Sequence, residues 1–242
     1  MRSYVVPFPG HVLIDRDYNQ QELRILAHFE GGSLVRAYER DAWLDFHTNA
    51  QQMINEMLGK MYARQPVKTI GFGLLYGMGL GKLAIAIDDS VATAREIKAA
   101  YMKSFDGIKR MYQEMRARSV MNEPIRTLFG REYFCEDPRL VDGRWQTFDY
   151  KLLNVLIQGS AADVTKECII RYDAMKHDDE HLLLSVHDEL LASVPKRRVA
   201  GAMERMRQSM EFNPIDVPLL SEGSTGSDWW NLKTYDRRGE RL

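Results

Sequence analysis

The sequence predicts an α+β fold in which strands from both ends of the chain form one sheet, with a helical insertion between them. The best hairpin signal spans residues 182–194, where the apolar runs LLLSV and LLASV flank a polar turn. Another short strand is predicted at residues 12–14, after a Pro-Gly turn. Between these ends, roughly 120 residues show helical periodicity, which favours a single sheet interrupted by helices.

The helices of the middle are predicted from the spacing of apolar residues. From residue 20 onward, the apolar residues of one helix share a face, and a clear amphipathic helix follows from residue 50 to 61. Further helices are predicted over residues 64–76 and 92–118, the second bent near Gly107. The later elements are a loop over 130–148, a helix capped by Ser160 and ending near 175, a helix over 199–212 and a strand over 217–220.

The charge balance excludes a strongly basic nucleic-acid coat protein. The 242 residues contain 33 Lys plus Arg and 34 Asp plus Glu, for a formal net charge of −1. A local basic groove is compatible with this balance, so DNA binding is not excluded. The two cysteines exclude a disulfide-rich scaffold, and no spacing suggests zinc. Because no apolar run approaches the ~20 residues of a membrane span and no signal-peptide core is visible, we expect a cytoplasmic protein.

Acidic residues stand where two of the predicted strands end. Asp17 follows the first strand, and Asp188 lies in the hairpin turn. If the strands are neighbours, the two carboxylates meet at one edge of the sheet and repel each other unless a cation lies between them. Such oxygen ligands suit magnesium. Spacing alone favours the interpretation that both are ordinary turn residues, and that His187 is a turn histidine.

The helix predicted over residues 64–76 carries an ordered set of side chains. Arg64, Lys68, Phe72 and Tyr76 are each four residues apart, so they share one face that spans about 18 Å. Two cations followed by two rings could hold a triphosphate at one end and stack a base or sugar at the other. An amphipathic helix with solvated cations and buried rings explains the same pattern equally well.

Four segments resemble the motifs of one enzyme family. Residues 17–24 (DYNQQELR) resemble D-Y-S-Q-x-E-L-R, and residues 64–77 (RQPVKTIGFGLLYG) resemble R-x-x-x-K-x-x-x-F-G-x-x-Y-G. Residues 154–163 (NVLIQGSAAD) and 186–189 (VHDE) resemble two further motifs of the same set. In this order and at these intervals, the chain resembles the family A DNA polymerases, the bacterial polymerase I type, from about residue 2 to residue 230.

The resemblance implies a polymerase palm, an antiparallel sheet with flanking helices, and an inserted helical fingers subdomain. The palm would comprise residues 1–24 and 143–242, the latter with a C-terminal tail, and the fingers residues 25–142. The implied activity is template-directed DNA synthesis, which adds deoxynucleoside monophosphates to a primer 3′ end with two Mg²⁺ ions. The expected location is the cytoplasm of a bacterium or of a phage-infected host.

The resemblance also implies roles for individual residues. The metal ligands would be Asp17, Asp188 and the backbone carbonyl of Tyr18. The catalytic set would be Asp17, Asp188, Glu189 and Lys68, the last placed to protonate the leaving group. The residues implied to contact the nucleotide are Arg64, Lys68, Phe72, Tyr76, His47, Gln20 and Glu22. Of these, Phe72 would pack on the sugar, Tyr76 would lie near the template base and His47 would contact a phosphate. Glu22 would block the ribose 2′-hydroxyl. Primer–template contacts would come from Arg24, Asn154, Gln158 and His187.

Some features depart from the family pattern. Gly71 replaces a usual Asn, Gln65 replaces a second basic residue, and Tyr150 stands where an Arg is common. The family carries a thumb and an early palm segment before the first motif, often after an exonuclease domain, whereas Asp17 stands close to Met1. We therefore expect the thumb and exonuclease on a second polypeptide, as in a split phage-type polymerase, or a chain that is a fragment.

Two other functions are compatible with the sequence. The first is a DNA-binding accessory subunit that keeps the polymerase fold without independent catalysis. The second is a metal-dependent nuclease or phosphohydrolase that uses the same carboxylates, although such an enzyme has no use for two rings following two cations.

Overall fold

The computed structural model of the chain describes residues 2–75, 77–141, 143–237 and 240–241. The strands in these residues are β1 His11–Tyr18, β2 Ile125–Arg126, β3 Glu132–Tyr133, β4 Arg139–Val141, β5 Arg144–Gln146, β6 His181–Val186, β7 Glu189–Pro195, β8 Ser221–Gly226, β9 Lys233–Arg237 and β10 Glu240–Arg241. The helices are α1 Gln21–Glu30, α2 Ser33–Arg40, α3 Phe46–Leu58, α4 Arg64–Leu75, α5 Leu80–Ala86, α6 Val91–Ser104, α7 Asp106–Met121, α8 Leu152–Met175 and α9 Val199–Met210.

The chain divides into two compact units. The sheet unit comprises Met1–Ile25 and Ala161–Leu242, and the helical unit comprises Leu26–Ser160. The second division falls inside α8, whereas the sequence places the boundary in a loop at residues 142–143. Helix α8 begins at Leu152, before the predicted cap Ser160, because residues 152–157 supply four buried apolar side chains that extend its packed face.

The sheet unit holds a six-stranded sheet in the order β10-β9-β8-β1-β7-β6, and every pairing given is antiparallel. Strand β1 therefore lies between β7 and β8. Helix α9 packs against β1, β7 and β8 and buries its methionines Met203, Met206 and Met210. The predicted α+β class and the predicted hairpin are confirmed.

Strand β1 continues past the predicted residues 12–14 because its polar side chains find partners inside the sheet. Arg16 is fully buried, and its guanidinium donates to Ser221 Oγ at 2.7 Å and to the Ser221 carbonyl at 2.9 Å. It also lies 3.6 Å from a Glu211 oxygen. The strand predicted at residues 217–220 is wrong, since β8 comprises Ser221–Gly226, whose small polar residues carry no apolar signal.

The helical unit contains two helices where the sequence predicts one bent helix over residues 92–118. The break is at Phe105 (φ −126°, ψ 69°). The main-chain N–H of Phe105 still donates to the carbonyl of Tyr101, one turn earlier. The Phe105 ring centroid lies 4.9 Å from that of Tyr101 and 5.3 Å from that of Phe46. This buried aromatic cluster fixes the change of direction near Gly107.

Helix α4 begins at Arg64, which places Pro66 in its first turn, where a proline's missing N–H costs little. Gly71, in the same helix, faces the buried Tyr101, whose hydroxyl oxygen would lie 3.2 Å from a Cβ at position 71. Gly71, which stands where the family usually has Asn, therefore leaves room for the Tyr101 ring. Among the residues that the structure describes, no helix combines the length and apolar character needed to cross a membrane.

Candidate active site

The sheet brings four carboxylates to one end of β1. Asp17 is paired with Glu189 of β7 on one side and with Glu222 of β8 on the other. Asp188 precedes Glu189 in the turn, and its carbonyl accepts the N–H of Tyr18 at 3.2 Å. The edge predicted to join Asp17 and Asp188 is thus present, with Glu222 added by a strand that the sequence analysis misplaces.

The crowding of negative charge shifts the protonation of Asp17. Burial, the charges of Asp188 and Glu189, and a hydrogen bond with Asp188 raise its pKa to about 7, while His187 acts in the opposite direction. A cation bound between these carboxylates would reverse the shift, because it favours the ionised form.

The residues present fit a hard divalent cation by their donor chemistry. Asp17 and Asp188 offer carboxylate oxygens, the ligand type that Mg²⁺ prefers. The Tyr18 hydroxyl donates to the Met210 carbonyl at 2.8 Å, so only the main-chain carbonyl of Tyr18 is left for the predicted ligand role. Within the described part of the chain, no three or more His, Cys, Asp or Glu side chains are already grouped as a metal site.

A second buried carboxylate, Asp15, lies two residues before Asp17 on the same strand. Asp15 is 7% exposed, and burial, a hydrogen bond with Glu189 and the charges of Glu189 and Asp17 raise its pKa to about 9, against the charge of Arg2. The Glu189 carboxylate also accepts the indole N–H of Trp229 and lies 3.4 Å from an Arg2 nitrogen. Sequence analysis missed Asp15, Arg2 and Trp229, since none belongs to a recognised motif.

His187 occupies the hairpin turn in a left-handed conformation (φ 60°). Its Nδ1 lies 3.2 Å from Asp188 Oδ1, and its Nε2 lies 3.7 Å from Glu22 Oε1. The imidazole is largely exposed, whereas Glu22 is 8% exposed. The structure therefore groups His187 and Glu22 with the acids at the end of β1.

Arg24 and Gln20 serve the loop that follows β1. Arg24 is fully buried, and it donates to the carbonyls of Asn19 and Pro218, each at 2.6 Å, and to the Asn19 side chain at 2.9 Å. Gln20 has φ 57° and donates weakly to the same Asn19 side chain at 3.4 Å. In this arrangement Arg24 holds backbone rather than facing solvent, and its role as a DNA contact stays a prediction.

The helical unit groups a second set of predicted residues around the start of α3. Asp45 caps α3, accepting the N–H groups of His47 and Thr48, and it binds Arg64 through both oxygens at 2.7 and 2.9 Å. Partial burial alone would raise the pKa of Asp45, but hydrogen bonds from Arg64 and Thr48 hold that pKa below its ordinary value. Arg64 Nε also donates to Thr48 Oγ1 at 3.1 Å. Asp45 was not predicted as a site residue.

The same cluster contains His47, Lys68 and Phe72. The His47 and Phe72 ring centroids lie 4.9 Å apart, and Lys68 Nζ lies 5.9 Å from the Phe72 centroid. Burial and the charges of Lys68 and Arg64 lower the pKa of His47 to about 4, against the effect of Asp45. His47 is therefore neutral at physiological pH and can donate or accept a hydrogen bond without adding charge.

The remaining predicted contacts are Tyr76, Asn154 and Gln158. Tyr76 lies outside the described residues. In the N-terminal part of α8, Asn154 donates to Gln158 at 3.4 Å, and Gln158 is exposed. Tyr150 packs against Gly77 (φ 69°), where a Cβ would lie 3.1 Å from the Tyr150 carbonyl oxygen, so this residue has a packing role where the family often has an Arg.

Comparison with known proteins gives a consistent set of similarities. The model of DNA polymerase family A matches residues 1–231. The chain is 32% identical to the thermostable DNA polymerase I of Thermus filiformis over 243 residues, covering 96% of this chain and 29% of the relative. It is 28% identical to DNA polymerase theta of Caenorhabditis elegans, covering 96% of this chain and 14% of the relative.

A solved structure agrees in fold as well as in sequence. The polymerase domain of Pol1 from M. smegmatis, in complex with DNA primer-template and dNTP, superposes with a TM-score of 0.82 at 27% identity. The match covers 94% of this chain and 42% of that chain. The chain thus spans less than a third of the length of the curated relatives described above.

Proposed function

The chain belongs to DNA polymerase family A, and on this premise we propose that it carries the palm and fingers functions of template-directed DNA synthesis. The reaction would add deoxynucleoside monophosphates to a primer 3′ end. The observation that carries the proposal is the placement of Asp17 beside Asp188 at the end of β1, where burial and crowded negative charge raise the pKa of Asp17 to about 7. Such a site is unfavourable without a cation and suited to one.

The palm residues would act as a preorganised set of oxygen ligands. Asp17, Asp188 and the main-chain carbonyl of Tyr18 would hold two Mg²⁺ ions. When bound, magnesium supplies activation of the primer hydroxyl and stabilisation of the leaving pyrophosphate. Asp17 must lose its proton to serve as a ligand, so activity is expected to rise through the pH range in which it ionises. Glu22, buried below the turn, would exclude the ribose 2′-hydroxyl.

The helical unit would bind the incoming nucleotide. Lys68 and Arg64 would pair with the phosphates, and Lys68 would donate a proton to the leaving group. The neutral His47 would donate a hydrogen bond to a phosphate oxygen, and Phe72 would pack on the sugar. Because Asp45 already binds Arg64 through both oxygens, a triphosphate would have to replace that carboxylate as the partner of the guanidinium.

The remaining assignments concern the primer–template, the parts of a polymerase that these residues do not supply, and the location. Primer–template contacts would come from Asn154, Gln158, His187 and Arg24, the last after a rearrangement that exposes it. A thumb and an exonuclease would be supplied by polypeptide outside these 242 residues, on a second chain in the split-polymerase interpretation. The cytoplasm of a bacterium or of a phage-infected host is the proposed location.

Primer extension tests the proposal against its two rivals. The chain, alone and with any co-encoded partner, is incubated with a labelled primer–template and Mg²⁺, with and without the four dNTPs. A polymerase lengthens the primer only with dNTPs, in the order that the template specifies. Shortening of the primer without dNTPs would identify a nuclease, and binding without any change in length under both conditions would identify an accessory subunit.

A further inference from the structure

Both oxygens of the Glu189 carboxylate are held by side chains that belong to neither active-site strand. The indole N–H of Trp229 donates to Oε1, and Nη2 of Arg2 lies 3.4 Å from Oε2. The Arg2 guanidinium carbon lies 4.3 Å from the centre of the Trp229 ring, so the two donors also stack on each other. The main-chain N–H of Trp229 donates to the Val5 carbonyl at 3.1 Å, which ties this arrangement to the first residues of the chain.

Glu189 occupies a position where an unsupported carboxylate would move away from its neighbours. It is paired with Asp17, a like charge, across β1 and β7, while the buried Asp15, two residues further back on the same face of β1, shares a hydrogen bond with it. The Glu189 side chain is only 12% exposed, so water screens these like charges weakly. A guanidinium and an indole N–H, each bound to a different oxygen, oppose that repulsion and fix the orientation of the carboxylate.

We propose that Trp229 and Arg2 are positioning residues that hold Glu189, and through it the adjoining Asp188 turn, in the geometry used for nucleotide addition. This inference rests on the proposed polymerase function. Asp188 directly precedes Glu189, and its carbonyl bonds to the Tyr18 N–H, so movement of Glu189 transmits to the turn that carries Asp188. Small displacements of reacting groups carry large penalties in rate.

The neighbouring tryptophan provides a matched control. Trp230 is 72% exposed, whereas the Trp229 indole is bound to Glu189. Trp229→Phe keeps an aromatic ring for Arg2 to stack on and removes the N–H donor, and Trp230→Phe makes the same loss of ring volume at an exposed position. We expect Trp229→Phe to lower kcat for single-nucleotide addition about tenfold with an unchanged KM for dNTP, and Trp230→Phe to change neither.

The decisive measurement is the same substitution in a background without the Glu189 charge. If Trp229 acts through Glu189, Trp229→Phe loses its effect on kcat when combined with Glu189→Gln, because the pair is coupled. An equal loss of kcat in both backgrounds, or no loss in either, would overturn the proposal. Equal melting temperatures of Trp229→Phe and Trp230→Phe separate a positioning role from a loss of folding.

A spectroscopic readout keeps this inference separate from the polymerase proposal. In ¹⁵N-labelled wild-type chain, the Trp229 indole N–H resonance should be shifted downfield and protected from exchange, and Glu189→Gln should move it while leaving the Trp230 indole resonance in place. A Trp229 resonance that does not respond to Glu189→Gln would refute the contact. If the wild-type chain, tested with its complementing chain where one is needed, does not extend primers while this response is present, the polymerase proposal fails and the Trp229–Glu189 contact stands.

Discussion

Asp15→Asn is expected to stabilise the protein, and the gain should grow with pH. Asp15 is 7% exposed, and its pKa is raised from 3.8 to about 9 by burial and by Glu189. The folded state therefore keeps a proton that the unfolded state loses above pH 3.8. Folding binds a proton across this interval, so stability falls as pH rises until the folded pKa is reached.

The magnitude follows from this proton linkage. One proton bound on folding lowers the free energy of unfolding by about 1.4 kcal/mol per pH unit, or about 4 kcal/mol between about pH 5 and pH 8. Asparagine carries no charge and presents an N–H donor to Glu189 in place of the carboxyl O–H. We therefore expect the variant to gain about 2–4 kcal/mol in the free energy of unfolding over wild type across this interval.

Urea unfolding of wild type and Asp15→Asn at about pH 5, 6.5 and 8 measures the effect. Asp173→Asn is the control, because its side chain is 71% exposed, and it should change the free energy of unfolding by less than about 0.5 kcal/mol at each pH. A stability difference for Asp15→Asn that is the same at all three pH values would refute the assignment of a raised pKa to Asp15.

Four further predictions concern the proposed activity. Glu22→Ala should raise the kcat/KM of ribonucleotides relative to deoxynucleotides, and an unchanged ratio would mean that Glu22 does not face the sugar. Phe72→Tyr should favour dideoxynucleotides by the family resemblance, measured as the ratio of dideoxy- to deoxynucleotide incorporation. Asp45→Asn keeps the α3 cap but frees Arg64, so the KM for dNTP should fall by up to about fivefold, and a rise in KM would count against the phosphate role of Arg64. Primer–template binding by the isolated chain should be weak and decline steeply with salt, and salt-independent binding in a titration would contradict the phosphate-contact account.

Apolar strands that end in polar residues mark the positions of Asp17 and Asp188 in the sequence, and the motif resemblance, rather than the spacing, predicts that the two carboxylates share one site. The sequence was not sufficient to predict Glu222 or the extent of β8. That strand is built of small polar residues whose place in the sheet depends on Arg16, a buried cation that bonds to Ser221. Such a partnership between residues far apart in the chain leaves no local periodicity to detect.

The roles of single residues also separate into those that local sequence predicts and those that depend on distant partners. Spacing predicts a helix where α4 lies, but it could not show that Asp45 neutralises Arg64 or that burial keeps His47 neutral. Arg24 lies in a recognised motif, yet its burial depends on the carbonyl of Pro218, which the motif does not contain. Motifs identify the chemistry, whereas the partners of each side chain come from the tertiary fold.

Single-turnover incorporation of one complementary dNMP is the most direct test of the central claim that Asp17 and Asp188 form the catalytic metal site. Wild type, Asp17→Ala, Asp188→Ala and the surface control Asp173→Ala are compared with Mg²⁺ and the complementing chain, if one is needed. Asp17→Ala and Asp188→Ala should each retain their fold and lose nearly all activity, because one carboxylate cannot hold both ions in line with the reacting atoms, while Asp173→Ala matches wild type. Activity within a few-fold of wild type in Asp17→Ala or Asp188→Ala would contradict the claim.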